Sequence, residues 1–379
     1  MLILQNISSL VDGLITKSDV ADILHNALDS NRLGLNECIR LFKSNDVYPI
    51  ALVSNILRQR LYGKTATFVN NIILNYTNVC ITYCKFCAFY RPPGHEQSYT
   101  LSIDEIVRRV AVSRDAFGIT QVLIQGGHNP NLKIEYYEEA FKAIKEKCPE
   151  VGIHGLSASE VDMIARVEKS SIKEILSRLK AAGLDSLPGA GAEILDDNVK
   201  AEISPFKIKS HEWIRIMELA HEIGLKSSAT MMYGTVETEE QRARHIMKIA
   251  QLQEKTGGFM AFIPWSFEPN KTQIQSEGLI KYPTGGLQLL KMIAITRIIY
   301  YGLIDHIQSS WLTNGVGMAQ LALNYGADDF GGTLVGEEVV SATGARSTEL
   351  TAHKIISAIK QIGFQAAERD NLYRTIKYY

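Results

Sequence analysis

Short β-rich runs alternate with longer amphipathic stretches along most of this chain, beginning at the segment TATFVNNIILN. The longer stretches have apolar residues at helical spacing, so a predicted helix separates each β-rich run from the next. Strands connected in this way lie parallel in a sheet that is covered by helices. Eight such runs predict an α/β fold, a (β/α)8 TIM-like barrel. The predicted strands are residues 68–74, 121–125, 152–156, 185–187, 228–233, 259–263, 306–310 and 328–333.

The pattern divides the chain into three predicted parts. Residues 1–66 form an amino-terminal helical layer, residues 67–349 form the barrel, and residues 350–379 form a carboxy-terminal helix and an extended closing segment. Apolar residues of the first part recur at the spacing of one helix face, namely Val20, Ile23, Leu24, Ala27 and Leu28. We expect this layer to support the barrel without taking part in chemistry.

The composition argues against several classes of protein. The formal net charge is -1, whereas a nucleic-acid-binding chain has a basic excess. The longest apolar run, 287–301, is interrupted by Lys291 and Arg297 and is too short to span a membrane. The first residues, MLILQNISSLVDG, lack the basic start and the cleavage site of a secretory signal. We therefore expect a cytoplasmic protein that binds neither nucleic acid nor membrane.

The active site of such a barrel lies at the carboxyl ends of its strands. Five unusual segments each follow a predicted strand, and we therefore expect them on one rim. They are NVCITYCKFCAF, QGGHNP, LPGAGAE, MYGTVET and IPWSFEP.

Three of the five cysteines in the chain, Cys80, Cys84 and Cys87, lie within eight positions. A disulfide is disfavoured because three is an odd number and the expected compartment is reducing. A structural zinc site needs four ligands, usually in two separated pairs; no partner pair is present, although His95 can complete such a site in principle. Three thiolates suit a [4Fe–4S] cluster, which normally takes four cysteines, with one iron left open for an exchangeable molecule.

The spacing C-x3-C-x2-C, with Phe86 directly before the last cysteine, resembles the signature of the radical S-adenosylmethionine (SAM) superfamily. The resemblance implies a radical SAM barrel in which Cys80, Cys84 and Cys87 hold a [4Fe–4S] cluster. It also implies that the amino and carboxylate groups of SAM chelate the open iron, and that an electron from the cluster cleaves SAM to a 5′-deoxyadenosyl radical. A flavodoxin- or ferredoxin-type protein is expected to supply that electron.

Two further segments have counterparts in that superfamily. Gln125, Gly126 and Gly127 match its glycine pair after the second strand, whose carbonyl groups would accept hydrogen bonds from the methionine ammonium of SAM. The alternative is a tight turn between strand and helix. Glu193 is expected to accept hydrogen bonds from the ribose hydroxyls of SAM, with a carboxylate at a helix amino terminus as the alternative.

Longer segments resemble the branch of the superfamily that acts on futalosine derivatives in menaquinone biosynthesis. They are NYTNVCITYCKFCAFYR, QGGHNP, RLKAAGLDSLPGAGAEIL, ATMMYGTVET, LQEKTGGFMAFIPWSFEP and GADDFGGT. The siblings in this branch are dehypoxanthine futalosine cyclases, aminofutalosine synthases and deazaflavin-ring synthase subunits. The last two carry Gly-Gly-Leu-His-Pro where this chain has His128 and Asn129 after the glycines, and Trp265 replaces an aliphatic residue of aminofutalosine synthases. Both features favour the cyclase branch, whereas Ala190 departs from the usual third glycine of its run.

The cyclase resemblance implies hydrogen abstraction from ribose carbon 4′ of dehypoxanthine futalosine, addition of the ribosyl radical to the benzoate ring, and loss of a proton and an electron. Three residues on the predicted rim are candidates for the base: His128, Glu237 and Asp328. Five other residues are candidates for substrate contacts. Arg91 and Asn129 could hold the benzoate or the sugar, and the ring could stack against Tyr90, Trp265 and Phe267.

Each of these roles has a structural alternative. Trp265 and Phe267 can be core residues at the end of a strand, and Glu237 can cap its own segment. The non-enzyme alternative for the whole chain is a barrel that binds metal, such as structural zinc, without catalysis.

Overall fold

The computed structural model describes residues 11–280, 282–345 and 349–379. Its early helices are Ala21–Leu28, Leu35–Lys43 and Val47–Tyr62. Val47–Tyr62 packs against Gly286–Tyr300, and Leu35–Lys43 packs against Glu239–Thr256, so this layer lies on the outer helices of the barrel. Residues 1–10 of the predicted layer lie outside the described residues, and the division at residue 66 stays a prediction.

In the described part of the chain, eleven strands, numbered in chain order, form two sheets. They are β1 Thr65–Val69, β2 Asn71–Asn75, β3 Gln121–Gln125, β4 Gly152–Gly155, β5 Ser186–Leu187, β6 Lys226–Tyr233, β7 Phe259–Ser266, β8 His306–Ile307, β9 Asp329–Gly332, β10 Gln365–Arg369 and β11 Thr375–Tyr378. Strands β2 to β8 pair in chain order as one parallel sheet, and the second sheet has the order β11-β10-β1-β9. The predicted α/β barrel is thus present as a curled seven-stranded parallel sheet with helices, closed by part of a second sheet.

The main connecting helices are those predicted by the alternation, with additional helices in several connections. They are Ile103–Phe117, Ile134–Lys147, Ala158–Glu168, Ile172–Ala181, Asp197–Ile203, Ser210–Glu222, Glu239–Thr256 and Gly286–Tyr300. Several begin where a hydroxyl accepts a hydrogen bond from a backbone N–H of the first turn, as Ser102, Ser171 and Thr238 do. Gly118 and Gly257 end two of them in the left-handed conformation, which is least costly for glycine.

The predicted strand 68–74 is wrong as a single strand, because the chain changes sheet at Asn70. The side-chain Nδ2 of Asn70 donates to Phe117 O at 2.6 Å, and the backbone carbonyl oxygen of Asn70 accepts from Thr120 N at 2.9 Å. These bonds divert the backbone, so β1 pairs with β10 and β9 while β2 pairs with β3. The continuous apolar run concealed the break.

The last segment of the chain closes the barrel at the amino ends of its strands. Strand β10 lies parallel to β1, and β11 turns back antiparallel to β10. The turn between them brings Asn371 to the amino ends of β3 and β5, where it contacts Gln121 and Ser186. The closing segment is therefore part of the barrel wall, and the boundary at residue 350 stays a prediction.

The longest apolar helix, Gly286–Tyr300, belongs to the protein core. Its polar side chains Thr296 and Arg297 are buried with the apolar ones, and Arg297 Nε donates to Gly326 O at 2.8 Å. Over the described ranges, no helix combines the length and the apolarity that crossing a bilayer requires.

Candidate active site

A cavity of about 370 Å³ lies inside the curled sheet. Four of the five segments predicted to share a rim contribute to its wall: the cysteine loop, QGGHNP, LPGAGAE and IPWSFEP. The fifth, MYGTVET, lies off the cavity. Side chains of the strands and of the closing segment complete the wall.

The three clustered cysteines follow β2, and all of them line the cavity. Cys80 and Cys84 are buried, and Cys87 is half-buried. Cys80 N donates to Arg91 O at 2.9 Å and Cys87 N donates to Cys84 O at 3.0 Å, which folds the loop back on itself. Thr82 Oγ1 lies 3.0 Å from Cys80 Sγ and 3.6 Å from Cys84 Sγ. The loop therefore directs three thiols into one volume.

Burial disfavours the thiolate form of two of these cysteines, Cys84 and Cys87. Burial raises the pKa of Cys84 to about 12 and also raises that of Cys87. His95, the possible fourth zinc ligand, lines a surface depression with Cys87, and its Nδ1 accepts from Gln97 N at 3.1 Å. Among the residues that the structure describes, no three His, Cys, Asp or Glu side chains are arranged to hold a single metal ion.

Gly126 and Gly127 are required first by the packing of the protein itself. A Cβ at Gly127 would lie 2.2 Å from Val79 O, and one at Gly126 would lie 2.7 Å from the Tyr76 ring. Gly127 N donates to Thr77 O at 2.8 Å, which holds the segment against the loop after β2. Asn129 N donates to Gly127 O at 3.0 Å, so the tight turn of the alternative interpretation is present. In the described part of the chain, no donor reaches the carbonyl oxygen of Gly126. That oxygen remains free to accept a hydrogen bond from a ligand.

Glu160, which the sequence did not single out, anchors this turn. Its Oε1 accepts from Gly126 N at 2.9 Å and from the Tyr76 hydroxyl at 2.8 Å, and its Oε2 accepts from Ser157 N at 2.6 Å. Burial raises the pKa of Glu160. The available signal was the spacing Ser-x-x-Glu of a capping box, with Ser157 as the cap. A cap, however, predicts a helix start rather than a place on a cavity wall.

Glu193 lies on the cavity wall, where it forms a buried ion pair. Its Oε1 is 2.6 Å from Nζ of Lys207, which also lines the cavity. Burial alone would raise the pKa of Glu193, but Lys207 and Lys200 hold it below its usual value. Lys200 donates to the carbonyl groups of Gly191 and Ala192 at 3.0 and 3.1 Å, so a buried cation holds the loop from behind. Both lysines were missed because a lysine in a polar segment predicts a solvated surface.

His128 lines the cavity and Asn129 does not. Within the described residues the imidazole of His128 has no hydrogen-bond partner, although its residue is only 5% exposed. Burial, together with the charge of Lys207, lowers the pKa of His128 to about 3, so the ring is neutral at pH 7. Asn129 Nδ2 instead donates to Thr100 Oγ1 at 3.1 Å, and its Oδ1 accepts a backbone N–H two residues on.

The other two candidate bases, Glu237 and Asp328, lie off the cavity and are fully engaged. Glu237 caps its own turn through backbone N–H groups and pairs with Arg242 at 2.7 Å. Asp328 immediately precedes β9, at the amino end of the strand, and so faces the opposite rim from the cysteines. Its carboxylate is bound by His306 Nδ1 at 2.6 Å and by Arg297. The structure thus gives neither residue access to a ligand in the cavity.

The predicted substrate contacts divide in the same way. Tyr90 and Trp265 line the cavity together with Phe86, whereas Phe267 is 2% exposed and lies in the core, as its alternative proposed. Arg91 does not line the cavity. Its Nη1 donates to three carbonyl groups of the cysteine loop at 2.9 to 3.2 Å, so the guanidinium holds the loop together.

A hydrogen-bonded polar layer, which the sequence did not predict, forms the floor of the cavity. Asn71 Nδ2 donates to Gln121 Oε1 at 2.9 Å, and Gln121 Nε2 donates to Asn371 Oδ1 at 2.7 Å. Asn371 Nδ2 donates to Ser186 Oγ at 2.9 Å, which lies 2.7 Å from His154 Nδ1. Burial lowers the pKa of His154 to about 3, so this floor offers neutral donors and acceptors. We call these five residues the polar floor; all of them except Ser186 line the cavity.

Two family models match the chain over most of its length. The one described as Radical SAM superfamily matches residues 74–249, and the one described as CofH/MqnC C-terminal region matches residues 256–378. Cyclic dehypoxanthine futalosine synthase from Streptomyces coelicolor is 40% identical over 363 residues, covering 94% of this chain and 89% of that protein. The chain belongs to the radical SAM superfamily. It is an enzyme of the CofH/MqnC family within it.

Other relatives of this radical SAM enzyme have different names. The 5-amino-6-(D-ribitylamino)uracil–L-tyrosine 4-hydroxyphenyl transferase from Methanocaldococcus jannaschii is 39% identical over 357 residues, covering 93% of this chain and 99% of that protein. Among solved structures, the FeFe-hydrogenase maturase HydG from Carboxydothermus hydrogenoformans has a TM-score of 0.74 at 17% identity, covering 98% of this chain and 85% of that one. This last likeness shows a shared fold.

The radical SAM family implies a [4Fe–4S] cluster and SAM, and the cavity has the groups that such cofactors need. Three thiols line one volume, and the free carbonyl oxygen of Gly126 belongs to the same wall. The Glu193–Lys207 pair adds charged groups of both signs beside them. The donor set thus fits the cofactors that the family uses.

Proposed function

We propose that this enzyme is a dehypoxanthine futalosine cyclase, which forms cyclic dehypoxanthine futalosine in menaquinone biosynthesis. One observation carries the choice among the siblings: His128 places an unpartnered imidazole on the cavity wall where their Gly-Gly-Leu-His-Pro segment has leucine. The histidine of that segment corresponds to Asn129, which is bonded to Thr100 away from the cavity. The sequence difference between the siblings therefore changes the chemistry of the wall itself.

We assign the cluster to Cys80, Cys84 and Cys87, and SAM to the wall formed by Phe86, Glu193 and the 125–127 segment. When bound, these cofactors supply a 5′-deoxyadenosyl radical that abstracts hydrogen from the substrate ribose. The curled sheet surrounds the reacting groups and excludes water from them, which protects a reactive radical from side reactions.

His128 is proposed to take the proton that the benzoate ring must lose. Addition of the ribosyl carbon leaves this ring carbon with a hydrogen, and aromaticity returns only when a proton and an electron have left. His128 would take the proton, and the oxidised cluster, when bound, would supply the one-electron acceptor. The neutral imidazole of His128 can accept that proton, since its ring is free of internal partners. The negative charge of the benzoate in the same cavity would raise the pKa of His128 from its low value and strengthen it as a base.

The remaining wall suits the two halves of this substrate. Tyr90 and Trp265 offer aromatic faces on which a benzoate ring can stack. The polar floor offers neutral donors and acceptors for the hydroxyl groups of a sugar, which need hydrogen bonds when buried. Glu237, Asp328, Arg91, Asn129 and Phe267 have no part in this proposal.

The second candidate is the reaction named for the Methanocaldococcus jannaschii relative, because its 39% identity is nearly that of the cyclase relative. An aminofutalosine synthase is the third. That reaction differs in a measurable way, because its radical adds directly to an enolpyruvyl-benzoate and the adenosyl group remains in the product.

The deciding experiment uses dehypoxanthine futalosine deuterated at ribose carbon 4′. The reconstituted enzyme is incubated with dithionite, SAM and this substrate, and the products are analysed by mass spectrometry. A cyclase releases deuterated 5′-deoxyadenosine, together with a product that has lost the deuterium and one ring hydrogen and is therefore two hydrogens lighter than the unlabelled substrate. Unlabelled 5′-deoxyadenosine with no new product would contradict the cyclase and favour one of the siblings.

A further inference from the structure

The loop that carries the cysteines has an aromatic outer face. Tyr83 is 40% exposed and Phe206 is 68% exposed, and their rings meet edge to face with centroids 6.3 Å apart. Tyr90 continues the contact, with its ring centroid 5.8 Å from that of Tyr83. We call these three residues the aromatic patch. Exposed aromatic side chains that contact one another are a common feature of protein interaction sites.

The backbone presents this patch rigidly. Tyr83 has a φ of 44°, a left-handed conformation that is costly for a residue with a bulky side chain. Lys85, two residues further on, fixes the loop through both of its backbone polar groups. Its N–H donates to Ile203 O at 2.9 Å, and its carbonyl oxygen accepts from Ile274 N at 3.1 Å. A strained residue fixed in this way indicates that its outward direction has a use.

A surface depression of about 440 Å³ adjoins the patch. Tyr90 belongs to both, and Cys87 lines both the depression and the inner cavity. The half-buried Cys87 is therefore the point at which the proposed cluster site comes nearest to this surface. An electron that enters here has a short route to the cluster.

The charge of the depression is positive. Arg91 and Lys271 line it, and within the described ranges its lining includes no carboxylate and neither cation has an ion-pair partner. The neighbouring Lys85 is by contrast neutralised by Glu277 at 3.0 Å. Two unpaired cations next to exposed aromatic rings favour a partner with an acidic surface around an apolar centre.

We propose that the aromatic patch and the depression together form the docking surface for an acidic one-electron carrier protein. This inference rests on the proposed function, because only a redox cluster behind Cys87 needs such a partner. At this contact the carrier is oxidised by one electron and the cluster is reduced by one, and no proton or group is transferred. The other possible occupant, a second copy of this chain, is an outcome of the test.

The test compares two reductants in the same enzyme. Phe206→Ser and Lys271→Glu are made in the full chain, with Tyr48→Ser and Lys354→Glu as matched controls on other exposed surfaces. After anaerobic reconstitution, 5′-deoxyadenosine formation is measured with dithionite and, separately, with increasing flavodoxin reduced by its reductase and NADPH. Dithionite is small and needs no docking surface, so it reports the chemistry alone.

We expect the half-saturating flavodoxin concentration to rise roughly tenfold in Phe206→Ser and in Lys271→Glu, as for loss of an anchor residue or reversal of an interface charge. The rate with dithionite stays within about twofold of the wild type, and both controls behave as wild type. Higher salt should weaken the wild-type response to flavodoxin and affect Lys271→Glu less, because steering by charge is screened by salt.

Two results would overturn the docking surface while leaving the proposed function intact. One is an unchanged flavodoxin response in both variants of an enzyme that is active with dithionite. The other is a dimeric wild type that Phe206→Ser converts to a monomer in size-exclusion chromatography, because the patch would then join two copies of the chain. A wild type that forms no 5′-deoxyadenosine with dithionite contradicts the proposed function and this inference together.

Discussion

Lys207 and Glu193 form a buried ion pair within the connection between β5 and β6, with 2.6 Å between Nζ and Oε1. The ammonium also lies 5.5 Å from the ring centroid of Phe86, the residue directly before Cys87. Burial would lower the pKa of Lys207, but the Glu193 carboxylate holds it above its usual value, so both groups are charged at pH 7. Lys207 thus contacts both Glu193 and Phe86, which belong to the two loops that are proposed to hold the cofactors.

Replacing Glu193 by alanine is expected to weaken SAM binding by about 1.5–3 kcal/mol, through loss of a charge-assisted hydrogen bond. It should also destabilise the fold, because Lys207 is left buried and unpaired at a cost of about 3–5 kcal/mol. SAM titration of the reconstituted enzyme and urea unfolding measure the two effects. The double variant Glu193→Gln with Lys207→Met should recover stability without recovering SAM affinity. A loss of stability with unchanged SAM affinity would limit Glu193 to the ion pair.

Replacing any one of Cys80, Cys84 and Cys87 by alanine is expected to abolish the four-iron cluster. The physical reason is that each thiolate would hold one iron, and no other thiol of the described chain lines the cavity. Iron and sulfide analysis after anaerobic reconstitution measures the result. Cys38→Ala and Cys148→Ala are the controls, since both thiols are buried elsewhere. Loss of iron from a folded Cys148→Ala protein would refute the assignment of three cysteine ligands.

Replacing His128 by leucine, the residue of the siblings, is expected to lower the rate of cyclised product by roughly 10²–10⁴-fold, the usual range for loss of a general base. Formation of 5′-deoxyadenosine should persist, because hydrogen abstraction precedes loss of the proton. Both products are quantified by liquid chromatography with dithionite as reductant. His353→Gln, at an exposed position of the helix Ala352–Gln361, is the matched control. If product and 5′-deoxyadenosine fall equally, His128 positions the substrate or SAM instead.

Replacing Asn371 by alanine is expected to raise the KM for dehypoxanthine futalosine and to leave SAM affinity unchanged. The change removes the partner of Gln121 Nε2 and a donor to Ser186 Oγ, both of which are buried. Stability should fall by about 1–3 kcal/mol for these unsatisfied groups. Substrate kinetics and urea unfolding report the two effects, with Asn324→Ala on an exposed position as control. An unchanged KM in a destabilised protein would make the polar floor purely structural.

Several features could be predicted from the sequence because they are local. The alternation of strand and helix patterns indicated the barrel, since periodicity is set by which face of each element is apolar. The spacing of Cys80, Cys84 and Cys87 fixed the kind of site, because ligands from one short loop are close whatever the rest of the fold does. The position of each segment after a strand then indicated a shared rim.

Other features were decided only by tertiary structure, because their partners are distant in the chain. Asn371 and Ser186 are separated by 185 residues and meet only when the closing segment enters the barrel. The prediction that Asp328 lies on the rim of the cysteines was wrong. Asp328 comes directly before β9 and not after it, so its side chain lies at the opposite end of the strand. Lys207 became an interior cation because Glu193 offsets the cost of its burial. Hydrophobic pattern and motif spacing thus determine which elements form, whereas the pairing of buried polar groups depends on how those elements pack.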